Sequence, residues 1–295
     1  MAFQIFTDTS SGLPKDLRDK HHIEYFKMGL LVNDKLYDAD LDFKEFSREQ
    51  MFDWVRDPKV TIRTSLVTRE EFVNKMKPYL EKGIDILYIA CTDALSGTRQ
   101  SFEILIQDLL EQYPGRRIVS INSCRAEMAL GLLVIEACKE QEKGKDMDEV
   151  IKYVEENKQY YHEVGSVDTL KYLKAYGRVS GAARFFADTL NIKPLIMFDR
   201  EGHNYTYKKV HGANKAMIGA FDYIKDNIVD GVTEVIYVGR TTPIPAYEYL
   251  KKRVEEELLI KVIFYDISPI VSICCGPGMY GAWFKGKEVT VLADK

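Results

Sequence analysis

Several features that would announce a function outright are scarce or missing in this chain. Cysteine is rare, with five residues at 91, 124, 138, 274 and 275. The number is odd and the spacing is neither that of a disulfide framework nor that of a zinc knuckle. Cys274 and Cys275 are adjacent, a poor arrangement for bridging each other, so reduced thiols and a cytoplasmic location are expected. The five histidines are scattered without ligand spacing, which gives no case for a bound metal. Asp8, Asp93 and Asp266 each end an apolar run, but isolated carboxylates argue only weakly for Mg²⁺. Positive charge is not in excess: 41 Lys and Arg face 45 Asp and Glu, a formal net charge of −4. Bulk electrostatics therefore argue against a nucleic-acid partner, although a local basic patch would survive that count. The longest apolar stretch, Met128 to Cys138, is interrupted by Glu136 and is too short to span a bilayer, so no integral membrane segment is expected. The sequence starts directly on strand-like Phe3–Thr7, and no signal peptide is expected. No repeat of fixed period and no low-complexity tract is found.

Apolar residues nonetheless make up 46% of 295 residues, enough for one large or two medium domains with an extended core. The first half alternates strand and helix signals. Phe3–Thr7 and Lys27–Val32 read as strands, the latter followed by a hairpin turn at Asn33-Asp34-Lys35. Phe46–Arg56 reads as a helix, and Thr68 with Glu70-Glu71 caps another that carries Phe72, Met76 and Leu80 on one face. Ile84–Ala90, the helix Thr98–Gln112 and Arg117–Ile121 form a βαβ unit, which implies a parallel right-handed crossover. A richly apolar helix, Ala126–Glu140, follows, and then a charged amphipathic one, Asp148–Tyr161.

The second half predicts helical segments at Val167–Lys174 and Gly181–Leu190, strands at Pro194–Phe198 and Thr206–Val210, and a helix at Lys215–Asn227. A strand at Glu234–Gly239, a helix at Ala246–Glu257 and a strand at Lys261–Tyr265 come next. Ile270–Ile273 and Glu288–Leu292 are candidate short strands. The boundary between two domains is set at residues 162/163.

Four polar turns abut apolar runs: Asp8–Gly12, Thr64-Ser65, Leu95–Thr98 and Gly276-Pro277-Gly278. Turns that follow strands of an α/β sheet gather at one end of it, where hydroxyls and backbone N–H groups converge on a small anionic group. No acid–base pair accompanies them, so the pattern favours binding over chemistry. Ser10 and its neighbours either orient a ligand or cap the next helix. Thr64 and Ser65 are neutral donors suited to a carboxylate or phosphate, or simply turn residues. Ser96 and Gly97 precede a crossover helix, whose free N–H groups favour an anion; Gly97 alternatively serves only the turn. The Gly276–Gly278 bend lacks the Lys of a P-loop. Arg178 offers a guanidinium fork to an anion or is solvated helix-end charge. Cys274 reads as a small buried hydrophobe, since no cationic neighbour is visible in sequence.

Taken in order, Phe6–Pro14, Arg63-Thr64-Ser65, Leu95–Ser101, Ile121-Asn122-Ser123, Gly177-Arg178, Lys193-Pro194 and Gly276-Pro277-Gly278 resemble the DegV family of bacterial lipid-binding proteins over essentially the full length. The resemblance implies two α/β domains. The first, residues 1–162, has a mostly parallel Rossmann-like sheet with helices on both faces. The second, residues 163–295, is built on a mixed sheet. It implies one bound long-chain fatty acid of about C14–C18 at their junction, an apolar tunnel, and no other cofactor; the acyl burial alone is worth about 0.8 kcal/mol per CH₂. Carried over, the carboxylate meets Thr64 or Ser65, Ser96 and the Gly97 amide, with Asp8, Ser10, Arg178, Cys274, Gly276 and Gly278 around the head group. The apolar helix Ala126–Cys138 and Phe185-Phe186 are tunnel-wall candidates. Some family members present the acid to a separate ATP-dependent fatty acid kinase and supply no phosphoryl chemistry themselves, so no catalytic residue is expected.

Two departures from the family pattern stand out. Cys274 occupies a position where histidine is common, and His211 stands where kinase-partnered members often carry arginine at the partner surface. Two other functions compete with lipid binding: a hydrolase or acyl transferase using Ser96 or Cys274, and a docking or regulatory protein with a structural lipid.

Overall fold

The computed structural model describes residues 2–179 and 191–293. Internal contacts divide the chain into two units, Met1–Lys158 with Ser268–Ile270, and Gln159–Ile267 with Val271–Lys295. The expected helix Gly181–Leu190, with Phe185-Phe186, lies outside the described residues.

The first unit runs β1 (Phe3–Asp8), α1 (Lys15–Lys20), β2 (Glu24–Phe26), β3 (Gly29–Val32), β4 (Lys35–Asp38), α2 (Arg48–Arg56), β5 (Ile62–Ser65), α3 (Arg69–Leu80), β6 (Asp85–Ala90), α4 (Thr98–Gln112), β7 (Ile118–Asn122), α5 (Glu127–Glu142) and α6 (Met147–Asn157). Strands β2-β1-β6-β7 form a sheet in which every pairing is parallel. Strand β6, Asp-Ile-Leu-Tyr-Ile-Ala, is buried at every residue, as a central parallel strand covered on both faces must be. Rings fill one side: Phe6 stacks on Phe26 with centroids 4.7 Å apart, and Phe72, Tyr88 and Phe102 pack edge-on around them.

Helix α4 buries Phe102, Leu105, Ile106 and Leu109, the face its periodicity predicts. Thr68 caps α3 by accepting from the Glu71 amide at 3.1 Å. Helix α5 is buried on nearly every side, and Gly131 lets it approach the loop after β1: a Cβ there would lie 2.8 Å from the Ser11 carbonyl.

A separate antiparallel sheet, β4-β3-β5, is closed by a hairpin turn at Asn33 and Asp34, both at positive φ as a type I′ turn requires. Tyr37, Phe46 and half-buried Trp54 cluster beside it, with Tyr37 and Trp54 centroids 5.2 Å apart.

The second unit runs β8 (Tyr161–Ser166), α7 (Lys171–Ala175), β9 (Ile192–Phe198), β10 (Asn204–His211), α8 (Ala213–Asn227), β11 (Val235–Arg240), α9 (Pro245–Arg253), β12 (Lys261–Asp266), α10 (Pro269–Cys275) and β13 (Tyr280–Lys285). Its sheet, β10-β9-β8-β13-β11-β12, is mixed: only β11–β12 is parallel. Met217, Phe221 and Ile224 of α8, with Leu250 of α9, pack on Val164, Leu195, Val238 and Phe284 of the sheet.

Three glycines lie opposite one another across three strands, Gly165 to Gly281 to Gly239. Without side chains there, the Trp283 ring tip reaches within 2.6 Å of where a Gly281 Cβ would stand, and the Tyr265 ring covers Gly239 at 2.9 Å. Trp283 is fully buried and donates its indole N–H to Glu163 at 2.8 Å.

The structure corrects several sequence assignments. Thr64-Ser65 ends strand β5 rather than forming a turn. Ile270–Ile273 is helical, because Pro269 opens α10 where its missing N–H costs nothing. The amphipathic helix stops at Asn157, and Tyr161 begins β8. Glu288–Leu292 forms no strand; its Val289 N bonds to Gln159 O at 2.8 Å, and Arg200 N bonds to Val291 O at 2.8 Å. Among the described residues, no helix is long and apolar enough to cross a membrane.

Candidate functional site

At the C-terminal end of β1, Asp8 is fully buried and its carboxylate is saturated from within. One oxygen accepts from the Ser10 amide at 3.0 Å and the Ser10 hydroxyl at 2.5 Å. The other accepts from the Tyr88 hydroxyl at 2.6 Å and the Cys91 amide at 3.0 Å. Four donors occupy the lone-pair directions a carboxylate offers. Asp8 and Ser10 thus tie the end of β1 to β6 and to the start of the Cys91–Gly97 loop. Burial, with the Asp8 charge adding, pushes the Cys91 thiol far up.

That loop delivers Ser96 and Gly97 to the start of α4. The Ser96 hydroxyl accepts from the Thr98 amide at 3.3 Å and donates to the Thr98 hydroxyl at 3.0 Å. Gly97 is the N-cap, exposed, and makes no side-chain cap. Its φ of −82° is one that any residue adopts, so the turn by itself does not require glycine. A Cβ at Gly97 would meet nothing closer than the Gln100 side chain at 3.8 Å. The missing side chain leaves open space over the backbone at a helix start, the place where amides favour an anion. Asp93, in the same loop, holds Arg99 through both carboxylate oxygens, at 2.9 and 2.6 Å.

The structure brings the end of β5 to the same place. Leu66, next after Ser65, lies with its methyl carbons 3.9 Å from where a Gly97 Cβ would stand, and is 43% exposed. Thr64 and Ser65 are half-buried, and the Ser65 hydroxyl donates to the Leu66 carbonyl at 3.2 Å. Sequence reading did not single out Leu66; an apolar residue flanked by Ser65 and Val67 gives no periodic signal. Thr98 closes the polar turn read from the sequence, and the structure adds its hydroxyl as the partner of Ser96.

The other candidates belong to the second unit. Arg178 is half-buried and donates to the Tyr176 carbonyl. Burial pushes the Cys274 thiol up to about 12, with the Arg178 guanidinium opposing the shift. The Tyr176 phenol rises to about 12, again mainly through burial, with Cys274 adding. Arg178, Tyr176 and Cys274 are therefore neighbours, and Cys274 is a neutral thiol at ordinary pH. Gly276 and Gly278 sit at φ +75° and +82°, where side chains are strained. A Cβ at Gly276 would collide with the Tyr172 ring at 2.1 Å. The Gly278 amide donates to Thr242 Oγ1 at 3.0 Å. His211 is exposed at the end of β10.

Three histidines are engaged in their own contacts: His21 with Glu142 at 2.9 Å, His162 with Tyr223 at 2.8 Å, and His203 with Asp199 at 3.3 Å. Among the described residues, no group of three or more His, Cys, Asp or Glu is placed to hold a metal.

A first unit built on a parallel sheet, with neutral hydroxyls and open backbone at a helix start, and a second unit built on a mixed sheet define a two-unit α/β protein. The profile of the DegV family, described as an uncharacterised protein family, matches residues 2–286, and the chain belongs to that family. It is 30% identical to a DegV domain-containing protein of Clostridium perfringens, over 96% of this chain and 97% of that one. Its fold is similar to that of a DegV family protein from Thermus thermophilus described by its fatty acid binding, with a TM-score of 0.84 and 26% identity over 97% of this chain and all (100%) of the other. It is also similar in fold to the Streptococcus pneumoniae fatty acid kinase B3 protein loaded with linoleic acid, with a TM-score of 0.81 and 17% identity over 97% and 100% of the two chains.

Proposed function

We propose that this protein binds one long-chain fatty acid, about C14–C18, and holds its carboxylate with neutral donors instead of reacting with it. The observation that carries this reading is the full-length likeness, at 26% identity and a TM-score of 0.84, to the Thermus thermophilus protein described by its fatty acid binding. The carboxylate would sit over Gly97, taking the open amide and the hydroxyls of Ser96 and Thr64 or Ser65. The Ser96 proton now goes to Thr98, and a hydroxyl pair of this kind can turn to donate outward while the partner hydroxyl donates back. Donors without charge leave the acid ionised and oriented. Each buried methylene adds about 0.8 kcal/mol, so a C16 chain has ample gross affinity before losses.

The chemistry of Cys274 supports binding over catalysis. A thiol pushed up to about 12 carries almost no thiolate at neutral pH, and the thiolate is the nucleophile. We also propose presentation of the bound acid to an ATP-dependent fatty acid kinase, a reading that rests on the family resemblance. His211, in place of a permanently charged arginine, would weaken that docking.

Native mass spectrometry of the purified protein, followed by lipid extraction, tests the first proposal. One fatty acid per chain is expected. Ser96→Ala combined with Thr64→Val should weaken fatty-acid affinity about tenfold or more with the fold intact. A protein that neither carries nor takes up C14–C18 acids would overturn the reading.

A further inference from the structure

Between β12 and the body of α10 the chain returns to the first unit for three residues, Ser268–Ile270, while the residues on both sides belong to the second. One side chain of the first unit receives this strap. Glu127 Oε1 accepts from the Ser268 amide at 3.0 Å, and Oε2 accepts from the Ser268 hydroxyl at 2.6 Å. Both residues are buried, Glu127 completely. A carboxylate removed from water is stable only when donors satisfy it, so the strap and the charge depend on each other.

The backbone at Glu127 is strained. The residue opens α5 at φ +50°, a left-handed conformation that side chains rarely adopt, and Cys124, three residues earlier, is at +54°. The Glu127 carboxylate also covers the turn after β1: a Cβ at Gly12 would fall 2.2 Å from Oε1. The same segment is bonded to the loop that delivers Ser96. The Thr92 amide donates to the Arg125 carbonyl at 2.9 Å, and the Thr92 carbonyl accepts from the Ser96 amide at 3.1 Å. Asn122 Oδ1 accepts from the Asp93 amide at 3.3 Å. The path from Ser268 to Ser96 thus runs through Glu127, Arg125 and Thr92, all within the first unit.

We propose that the Glu127–Ser268 clasp is a latch on the head-group loop: Glu127 is a positioning residue that keeps Ser96 and Gly97 in place, and opening the clasp lets the bound acid leave. This inference rests on the fatty-acid reading above. With Ser268 seated, its two donors offset the left-handed backbone of Glu127. With Ser268 withdrawn, a buried carboxylate loses both donors, the backbone relaxes, and the Arg125 carbonyl moves under Thr92. The clasp therefore separates two states of the loop, and an acid held by Ser96 and Gly97 favours the closed one.

The test is the release rate of cis-parinaric acid, a fluorescent long-chain fatty acid, from the full chain, together with the ¹⁵N amide resonances of the ligand-free protein. Glu127→Gly removes the clasp and suits the positive φ, so the start of α5 is kept. Ser268→Ala removes only the hydroxyl. Each variant should release the acid about tenfold faster or more and displace the Thr92, Ser96 and Gly97 amide resonances. The double variant should be no faster than Glu127→Gly alone, because both changes break one contact. Ser268→Thr keeps the hydroxyl and should restore the parent rate. Release at the parent rate in both single variants, or Ser96 and Gly97 amides that do not move, would overturn the latch and leave Glu127 a structural residue. A parent protein that takes up no parinaric acid would instead overturn the fatty-acid reading, and the amide resonances would then decide the latch by themselves.

Discussion

The Tyr88 hydroxyl donates to Asp8 across 2.6 Å, joining the middle of β6 to the end of β1 inside a fully buried carboxylate cluster. Replacing Asp8 with Asn puts an NH₂ against the Ser10 or the Cys91 amide N–H, neither of which can accept, and removes the charge that strengthens the two hydroxyl bonds. Asp8→Asn should cost about 2–3 kcal/mol of stability, the scale of a hydrogen bond to a buried charge. A urea midpoint that does not move would show the cluster to be dispensable.

Gly97 separates a structural role from a ligand role. Its φ of −82° and the 3.8 Å clearance leave room for a methyl group. Gly97→Ala should cost less than about 1 kcal/mol, the range of N-cap changes. Fatty-acid affinity should nevertheless fall, because the methyl would stand where the carboxylate approaches. Equal affinity in the variant would remove Gly97 from the site.

Gly276 makes the opposite case. At φ +75° and with Tyr172 at 2.1 Å, any side chain both strains the backbone and displaces a ring. Gly276→Ala should destabilise the protein by about 1–3 kcal/mol. Thermal unfolding indistinguishable from that of the parent would contradict the collision.

Buried thiols give the stability a sign at alkaline pH. Burial pushes Cys138 and Cys274 up to about 12. Their unfolded counterparts ionise near 8.5, so above that pH the unfolded chain binds fewer protons than the folded one. Stability is whole below about pH 8.5 and falls as pH rises toward 12, by about 1.4 kcal/mol per unit for each such thiol. Cys138→Ala should flatten the fall in urea-unfolding free energy between pH 8.5 and 10.5; an unchanged slope would mean that the thiol does not contribute.

The sequence made the β6–α4–β7 crossover legible because Ile86 to Ala90 is unbroken apolar chain and Phe102, Leu105, Ile106 and Leu109 keep helical spacing. It hid β8, where His162 and Glu163 are buried polar residues that spoil any strand pattern until Tyr223 and Trp283 supply their partners. It hid β13 for a related reason: Gly281 is a strand residue only because Trp283 needs the space above it. Ile270–Ile273 was ambiguous at four residues, a length at which strand and helix share one pattern. At the candidate site, Ser96 and Gly97 were readable from their position after a strand. Leu66 was not, since only the folded chain brings it to Gly97.

The chain has two tryptophans, and each unit holds one: half-buried Trp54 beside Tyr37, and Trp283, sealed over Gly281 with its N–H on Glu163. The protein thus carries a separate optical reporter in each half. In Trp54→Phe, the remaining indole emits from a water-free setting, and its red shift on denaturation times the opening of the second unit alone. In Trp283→Phe, the signal belongs to the neighbourhood of the small sheet that contains β5, and a spectral change on adding a fatty acid would report from the half that carries Ser96 and Gly97.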